Sequence, residues 1–303
     1  MKKRTTRMRE LLERPGILVM PGTHDSLGGM LAEAAGFEAL VSGGYSASAT
    51  LLGSPDLSQL SFTEMVDYYT RLCEATRLPL LADADTGFGG IANVVRTVRG
   101  YERAGVAALL LEDQVFPKKC GHYAGKQVVP RQEWLGKIKA ALDARTDPDL
   151  CIVARTDALA PLGMDEAMER VLLAQEAGAD VLFVDALETR AQMEQLCSLT
   201  QRPCLANVIE GGKSPELPAA ELEQIGFAGV LYALAPTYAV AFALRECYAH
   251  LARHGNTRRL RDRQITFAEF NDIVRLPQYM EREERARRGA EELVTHHEKR
   301  RQA

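Results

Sequence analysis

Acidic residues, one arginine and one asparagine follow apolar runs at several points of this 303-residue sequence. Asp83 and Asp85 stand two residues apart beside a glycine turn, a spacing that suits a hard cation that keeps several of its waters. The other positions are Ser42-Gly43-Gly44, Glu112-Asp113, Arg155-Thr156-Asp157, Asp185, and Asn207 with Glu210. A divalent cation together with Arg155 would offset the repulsion among these carboxylates, so the pattern predicts a metal site. The structural alternative is that each acid caps a helix, and Thr156-Asp157 could do no more than that.

A second candidate is the string Pro117-Lys118-Lys119-Cys120-Gly121-His122. A cysteine flanked by lysines and a histidine has surroundings that favour a thiolate, or a thiol that gives up its proton. Glycines in this segment would let it move as a lid. The alternative is an exposed basic loop with an incidental cysteine.

Both groups of residues need elements that bring them to one place, and the sequence supplies eight short apolar runs. They are residues 17–20, 39–41, 78–82, 107–111, 150–154, 181–184, 203–206 and 229–234. Gly36, Gly105, Gly178 and Gly226 precede four of them, as helix C-caps that lead through a tight turn into a buried strand. Alternating helices and doubly buried strands predict a parallel sheet, and eight units favour a closed (β/α)8 barrel. Active sites of such barrels form where the strands end, which is where the polar residues stand.

The chain is expected to form one barrel domain over residues 1–303, with a helical extension from about 257 to 303. A helix is predicted over 238–254, and the tail carries a segment at 266–276 and a charged helix at 281–301. Phe267, Phe270, Ile273 and Val274 have helical spacing and need a partner surface, so the extension is expected to make oligomer contacts.

Composition narrows the class of protein. The net charge is −4 and basic residues are scattered, which argues against a nucleic-acid partner. No apolar run reaches the length of a membrane span, and no apolar segment follows the basic N-terminus as in a signal peptide. The six cysteines show no CxxC spacing, which indicates reduced thiols and a cytoplasmic location.

Taken in order, these motifs resemble the isocitrate lyase / phosphoenolpyruvate mutase superfamily over nearly the whole chain. The strings that carry the resemblance are Gly53-Ser54-Pro55-Asp56, Asp83-Ala84-Asp85-Thr86-Gly87, Glu112-Asp113-Gln114, Lys118-Lys119-Cys120-Gly121-His122, Ala154-Arg155-Thr156-Asp157 and Asn207-Val208-Ile209-Glu210-Gly211-Gly212-Lys213. The resemblance implies a (β/α)8 barrel with extra C-terminal helices. It also implies a homotetramer, a dimer of dimers in which the terminal helix swaps between neighbouring subunits.

The resemblance assigns roles as well. Asp83 and Asp85 would hold Mg2+, or Mn2+, with Asp56 and Glu112 completing a water-bridged shell. The residues implied to bind a dicarboxylate substrate are Ser42, Gly43, Gly44, Asp56, Gly121, Arg155 and Asn207. The residues implied to act in catalysis are Cys120, Lys119, His122, Glu112 and Arg155. Cys120 would protonate the carbanion left by carbon–carbon cleavage, with Lys119 and His122 tuning it.

Within the superfamily, the cysteine string favours the lyase branch over phosphoenolpyruvate mutases and phosphonopyruvate hydrolases, although carboxyphosphonoenolpyruvate mutases also carry it. Tyr238 stands where methylisocitrate lyases use an arginine for a third carboxylate. Residues 208–213 and 267–271 most resemble the 2,3-dimethylmalate lyase and petal death protein branch. We therefore expect a Mg2+-dependent lyase that cleaves a 2-alkylmalate-type acid to pyruvate or a related 2-oxo acid. The alternatives are a mutase that forms a P–C bond, a methylisocitrate lyase, an oxaloacetate hydrolase, or a barrel that only binds a dicarboxylate.

Three positions depart from the family pattern. Asp185 replaces a usual glutamate, Ala235 stands where relatives often have a hydroxyl side chain, and Ser54 replaces a usual leucine beside Asp56. The shorter Asp185 side chain and the missing hydroxyl at Ala235 suggest an unusual substrate.

Overall fold

A computed structural model describes residues 2–302 and contains eight parallel strands in chain order. They are β1 (Leu18–Pro21), β2 (Leu40–Ser42), β3 (Leu80–Asp83), β4 (Ala108–Glu112), β5 (Cys151–Thr156), β6 (Val181–Val184), β7 (Leu205–Asn207) and β8 (Gly229–Tyr232). One sheet runs from β2 to β6 and the other orders β1, β8 and β7. Parallel bridges from Gly22 to Val41 and from Leu182 to Cys204 join the two sheets into a ring. The predicted closed barrel is confirmed.

Several strands are longer at their C-terminal end than the apolar run that predicted them, since the last residue of each of these strands is polar. Ser42, Asp83, Glu112, Thr156 and Asn207 each end a strand, although hydrophobicity alone would leave them outside it. Their backbone groups pair with neighbouring strands while their side chains reach the end of the barrel. The ladder therefore continues into the residues that carry the chemistry.

Helices connect the strands in the expected alternation. They are α1 (Arg4–Glu13), α2 (Ser26–Ala34), α3 (Gly44–Leu52), α4 (Phe62–Ala75), α5 (Ile91–Ala104), α6 (Arg131–Ala144), α7 (Leu159–Leu162), α8 (Met164–Ala177), α9 (Arg190–Leu199), α10 (Ala219–Ile225) and α11 (Ala235–His254). Gly105, Gly178 and Gly226 cap their helices in the left-handed region, with φ of 88°, 99° and 114°. The three glycines confirm the predicted turns from helix into strand.

The core has two layers. One lies between the strands and the surrounding helices, and the other fills the inside of the barrel with side chains such as Met20, Leu110 and Phe183. Helix α1 belongs to the inner layer through Met8 and Leu11, which are buried among those side chains. Arg9 and other polar residues of α1 bond to the loops that precede β5 and β6. Helix α1 therefore closes the end of the barrel where the strands begin, opposite the acidic strand ends.

The chain separates into two compact units, one reaching to Ala241 and the other beginning at Phe242. Helix α11 starts at Ala235, three residues before the predicted start, and a 3-10 helix (Arg258–Arg263) follows it. The tail then forms α12 (Phe267–Ile273) and α13 (Leu276–Gln302), so the charged helix begins five residues earlier than predicted. Neither α12 nor α13 has a buried residue.

The structure also bears on the thiols and on membrane insertion. All six cysteines are free thiols, three of them buried. Within residues 2–302, none of the helices combines the length and the apolar character needed to cross a bilayer.

Shortening Met8 to alanine is expected to destabilise the protein by about 2–5 kcal/mol, because it opens a cavity where α1 meets the barrel interior. Urea unfolding of Met8→Ala and of the parent protein measures this difference. Leu199→Ala is the matched control, since that leucine is 52% exposed and its loss is expected to cost less than about 0.5 kcal/mol. Equal stability of Met8→Ala and the parent would contradict the role given to α1.

Candidate active site

Polar residues from most of the strands converge at the C-terminal end of the barrel because parallel strands place their last residues at one mouth. They surround a small cavity of about 70 Å³. Its lining residues are Gly43, Gly44, Tyr45, Asp56, Asp83, Lys118, Cys120, Gly121, His122, Arg155, Asp185, Asn207, Ile209, Ala233 and Leu234. Strand ends and the segment between β4 and α6 (residues 113–130, here called the lid loop) therefore enclose one site.

Three aspartates on one side of this cavity share the ammonium group of Lys118. Lys118 Nζ lies 2.9 Å from Asp56 Oδ2, 2.8 Å from Asp85 Oδ1 and 3.9 Å from Asp83 Oδ2. The lysine side chain is only 2% exposed, and the surrounding carboxylates raise its pKa well above the usual value even though burial opposes this. Glycine at position 44 leaves room for this ammonium group, since a Cβ there would lie 2.9 Å from Lys118 Nζ. The lid loop thus delivers a buried positive charge to the acid cluster.

The surroundings shift the pKa values of Asp83 and Asp85 in opposite directions. Burial acts to raise the pKa of Asp83, but Lys118, Arg155 and two backbone N–H groups outweigh it and lower the pKa. One of those N–H groups belongs to Gly44, which donates to Asp83 Oδ2 at 3.0 Å. Burial dominates at Asp85, and together with the neighbouring aspartates it raises the pKa to about 7. Asp85 also adopts a φ of +49°, so its backbone is held in a conformation that non-glycine residues rarely use.

Arg155 forms the opposite charged wall. Its Nε donates to Asp157 Oδ2 at 2.8 Å and its Nη2 donates to Asp157 Oδ1 at 3.0 Å, a bidentate pair. Nη2 also lies 3.3 Å from Asp185 Oδ2, and Nε lies 3.3 Å from Glu112 Oε2. Burial raises the pKa of Glu112 well above its usual value, since Arg155 offsets only part of the desolvation cost. The guanidinium is therefore rigidly held at the cavity wall.

The lid loop packs tightly over these charges. Gly121 is buried against Asp185 and Arg155, and a Cβ at this position would collide with both side chains. Cys120 lines the cavity next to it, and burial raises the pKa of its thiol to about 11 although a backbone hydrogen bond from His122 opposes this. His122 Nδ1 accepts a hydrogen bond from the Lys213 backbone N–H at 3.1 Å. Cys120 is consequently a protonated thiol at neutral pH, which suits a proton donor better than a nucleophile.

The carboxylates also fit a divalent cation. Six of them gather at the mouth (Asp56, Asp83, Asp85, Glu112, Asp157 and Asp185) with three cations (Lys118, Lys126 and Arg155). Within residues 2–302, both buried carboxylate oxygens of Glu112 and Oδ2 of Asp185 accept no hydrogen bond, although Arg155 lies 3.3 Å from each of these two carboxylates. No three His, Cys, Asp or Glu side chains of the described chain converge to enclose an ion directly. A cation held by one or two carboxylates and several waters is the kind of site Mg2+ prefers.

Most of the residues that the sequence singled out meet at this site. Gly43, Gly44, Asp56, Asp83, Cys120, Gly121, His122, Arg155 and Asn207 line the cavity, and Asp85 and Glu112 lie against its charged walls. Two residues are placed elsewhere. The Ser42 hydroxyl donates to the Thr23 carbonyl at 2.8 Å and pairs with the Tyr68 hydroxyl. Lys119 lines a separate surface cavity, and its backbone pairs with the Gln114 side chain.

Sequence reasoning did not name Lys118 or Lys126 as site residues, and it counted Asp157 in the acid cluster without giving it a separate role. Lys118 stood in the same string as Lys119, and nothing in the spacing showed which of the two lysines would turn inward. Tyr45, which also lines the cavity, follows directly after the Ser42-Gly43-Gly44 string. The excess of carboxylates in the predicted acid cluster was the signal that could have pointed to Lys118 and Lys126, because buried acids need basic residues to balance their charge.

Comparison with known proteins places this geometry in a family. The family model of phosphoenolpyruvate phosphomutase matches residues 8–252. The 2,3-dimethylmalate lyase of Eubacterium barkeri is 44% identical over 275 residues, which cover 91% of this chain and 95% of that protein. The chain belongs to the phosphoenolpyruvate mutase/isocitrate lyase superfamily.

Solved structures of this superfamily share the fold. An oxaloacetate acetylhydrolase in complex with the inhibitor 3,3-difluorooxalacetate matches with a TM-score of 0.89 and 35% identity, over 94% of this chain and 97% of that chain. A phosphonopyruvate hydrolase in complex with oxalate and Mg2+ matches with a TM-score of 0.82 and 29% identity, over 93% of this chain and 97% of that chain. The predicted superfamily is confirmed.

Divalent-cation affinity is expected to depend on pH through Asp85. A cation binds the ionised carboxylate, and the pKa of Asp85 in the metal-free protein is about 7. Below pH 7 a proton must leave first, so Mg2+ affinity should fall by about tenfold per pH unit, whereas above pH 7 it should level off. Calorimetric titration with Mg2+ from pH 5.5 to 8.5 measures this, and buffers of different ionisation enthalpy count the released proton. The same affinity at pH 6 and pH 8 would contradict it.

Proposed function

We propose that this protein is a Mg2+-dependent carbon–carbon lyase that cleaves a 2-hydroxy dicarboxylate of the 2-alkylmalate type. The observation that carries the proposal is that the protonated thiol of Cys120 lines the same small cavity as Asp83 and Arg155. One wall can hold a hydroxy acid by its charge and the other can deliver a proton. The products would be pyruvate, or a related 2-oxo acid, and a second carboxylate.

The first carboxylate of the substrate would be held between Arg155 and the start of helix α3. Arg155 presents a fixed guanidinium, and α3 begins at Gly44, so its first backbone N–H groups carry the positive end of the helix dipole. Gly43 has no side chain to obstruct this approach. Asn207, which also lines the cavity, would offer its amide to the second carboxylate.

Asp83 and Asp85 would hold Mg2+, with Asp56 and Glu112 accepting hydrogen bonds from its waters. The superfamily relative with bound oxalate and Mg2+ supports this assignment, and so do the carboxylate oxygens that accept no hydrogen bond. Bound there, Mg2+ supplies a Lewis acid for the hydroxyl and carboxylate oxygens of a 2-hydroxy acid. Lys118 balances the remaining charge of Asp56 and Asp85.

The bond that breaks joins the hydroxyl-bearing carbon to the carbon that carries the second carboxylate. The hydroxyl would give its proton to a neighbouring carboxylate of the site and become the keto oxygen of the 2-oxo acid, while the electron pair of the broken bond stays on the second fragment. Cys120 then gives its proton to that carbon, and the closed lid loop keeps bulk water from competing. A thiol with a pKa near 11 keeps its proton until such a strongly basic carbon forms.

A neighbouring cavity favours an alkyl group over a third carboxylate. It measures about 250 Å³ and lies on the other side of Cys120 and His122. Its lining residues are Tyr45, Cys120, His122, Tyr123, Ile209, Glu210, Gly211, Gly212, Lys213, Leu234 and Tyr238, with no arginine among these described residues. The Tyr45 and Tyr238 rings meet edge to face at 6.5 Å, and Ile209 and Leu234 add apolar surface. Lys213 and Glu210 place charges of opposite sign at this cavity, and the apolar part of its wall is the part that would accept the alkyl group of a 2-alkylmalate.

Purified protein with Mg2+ is expected to release pyruvate from 2,3-dimethylmalate or 2-methylmalate and to stop on addition of EDTA. A panel that also holds methylisocitrate, oxaloacetate and carboxyphosphonoenolpyruvate, followed by 1H and 31P NMR, tests the choice among reactions. Release of pyruvate from an alkylmalate supports the proposal. Turnover of the phosphonate alone, or of no acid at all, would contradict it.

Cys120→Ser is expected to lower turnover by roughly 10²–10⁴-fold, because serine is a far weaker acid in the same place. Stabilisation of the protein by Mg2+ should stay unchanged in this variant. Cys247→Ser is the matched control, since that cysteine lies on helix α11 and does not line the cavity. Undiminished turnover of Cys120→Ser would remove the thiol from the mechanism.

The C-terminal helices are proposed to form the contacts of a homotetramer, a dimer of dimers with swapped terminal helices. Phe267 is 85% exposed, and Phe270, Tyr279 and Leu293 are also exposed. Apolar side chains in that number on short and charged helices indicate a surface that another subunit covers.

Sedimentation of the parent protein is expected to give a tetramer, and Phe267→Asp is expected to give smaller species because a charge enters an apolar contact. Leu199→Asp places the same charge on an apolar side chain of α9 that is 52% exposed, and it should leave the assembly unchanged. A monomeric parent protein would contradict the proposed assembly.

A further inference from the structure

Lys126 is a buried lysine to which neither the sequence motifs nor the proposed reaction assigns a role. It lies in the lid loop, six residues after Cys120, and its side chain is 1% exposed. A lysine almost never loses its water without ionic partners. The carboxylates that pair with Lys126 therefore indicate its role.

Lys126 belongs to a closed ring of four charges. Its Nζ lies 2.8 Å from Asp157 Oδ1 and 3.7 Å from Asp185 Oδ2. Arg155 Nη2 lies 3.0 Å from the same Asp157 oxygen and 3.3 Å from the same Asp185 oxygen. Two cations thus share two carboxylates, and the side chains of Lys126, Asp157 and Asp185 are each at most 1% exposed.

The ring is neutral only while Lys126 is present. Without it, Arg155 would face two buried carboxylates alone, and this part of the cavity would carry a net negative charge. Burial opposes ionisation of Asp157, yet Arg155 and Lys126 together hold its pKa well below the usual value. Both aspartates would then compete with an incoming carboxylate for the single guanidinium.

Lys126 also joins two segments that must meet. Lys126 lies on the lid loop, whereas Arg155 is the next-to-last residue of β5 and Asp185 directly follows β6. Gly121, on the same loop, is packed against Arg155 and Asp185. The lysine therefore ties the far end of the lid loop to the residues beneath Gly121.

We infer that Lys126 is a positioning residue, which balances Asp157 and Asp185 so that Arg155 stays available to the carboxylate of the 2-hydroxy acid. The inference deepens the proposed function and rests on it, since it takes Arg155 as the group that binds this carboxylate. Lys126 itself does not line the reaction cavity.

The test is calorimetric titration of oxalate into the protein with Mg2+, comparing the parent with Lys126→Met. The variant is expected to bind oxalate about tenfold more weakly or worse, because a buried partner of the ring is lost. Steady-state kinetics on the accepted acid should show the larger effect on KM and the smaller effect on kcat. Lys139→Met, which removes an exposed lysine of α6, should bind oxalate as the parent does.

A double variant separates charge balance from a role in folding. Adding Asp185→Asn to Lys126→Met restores a neutral ring, and oxalate binding is expected to recover most of the lost affinity. A double variant that binds as weakly as Lys126→Met, or that fails to fold, would overturn the inference. Parent-like binding by Lys126→Met would also overturn it and leave the proposed function intact. Absence of both oxalate binding and turnover in the parent would instead defeat the proposed function.

Discussion

The crowding of buried carboxylates at one mouth of the barrel is the constraint on which the other features depend. Each buried carboxylate loses its water, and at short range each repels the next. Two effects reduce this repulsion. Burial raises the pKa of Asp85 and Glu112, which favours their protonated forms, and cations from two parts of the chain balance the remaining charge. Arg155 comes from the barrel wall, whereas Lys118 and Lys126 come from the lid loop.

The site needs both the lid loop and the barrel, because the loop supplies two of the cations that balance the carboxylates of the barrel mouth. Lys118 enters the aspartate cluster near one end of the loop, and Lys126 enters the Arg155 ring near the other. Between them, Gly121 rests on the barrel charges and Cys120 faces the cavity. In this arrangement the same loop therefore places the Cys120 thiol at the cavity and balances the acids. Helix α1 closes the opposite end of the barrel with apolar side chains.

The sequence was sufficient to predict the barrel, because eight apolar runs and several glycine caps express constraints that act locally. It also predicted the acid cluster, since the C-terminal ends of parallel strands must meet. The choice between Lys118 and Lys119 could not be predicted, because an irregular loop has no periodicity that tells which side chain turns inward. The pairing of Lys126 with Asp157 joins residues 31 apart in the chain and becomes visible only in three dimensions. The position of the Ser42 side chain, which was expected to bind substrate, could not be predicted for a similar reason, since its hydroxyl pairs with Tyr68 from a separate helix.

A crystal structure grown with Mg2+ and oxalate tests the central claim most directly. The account predicts an ion coordinated on the side of Asp83 and Asp85, oxalate against Arg155, and both lysines of the lid loop still paired with their aspartates. An ion bound away from these two aspartates, or oxalate found outside the mouth while Arg155 remains enclosed by carboxylates, would contradict it.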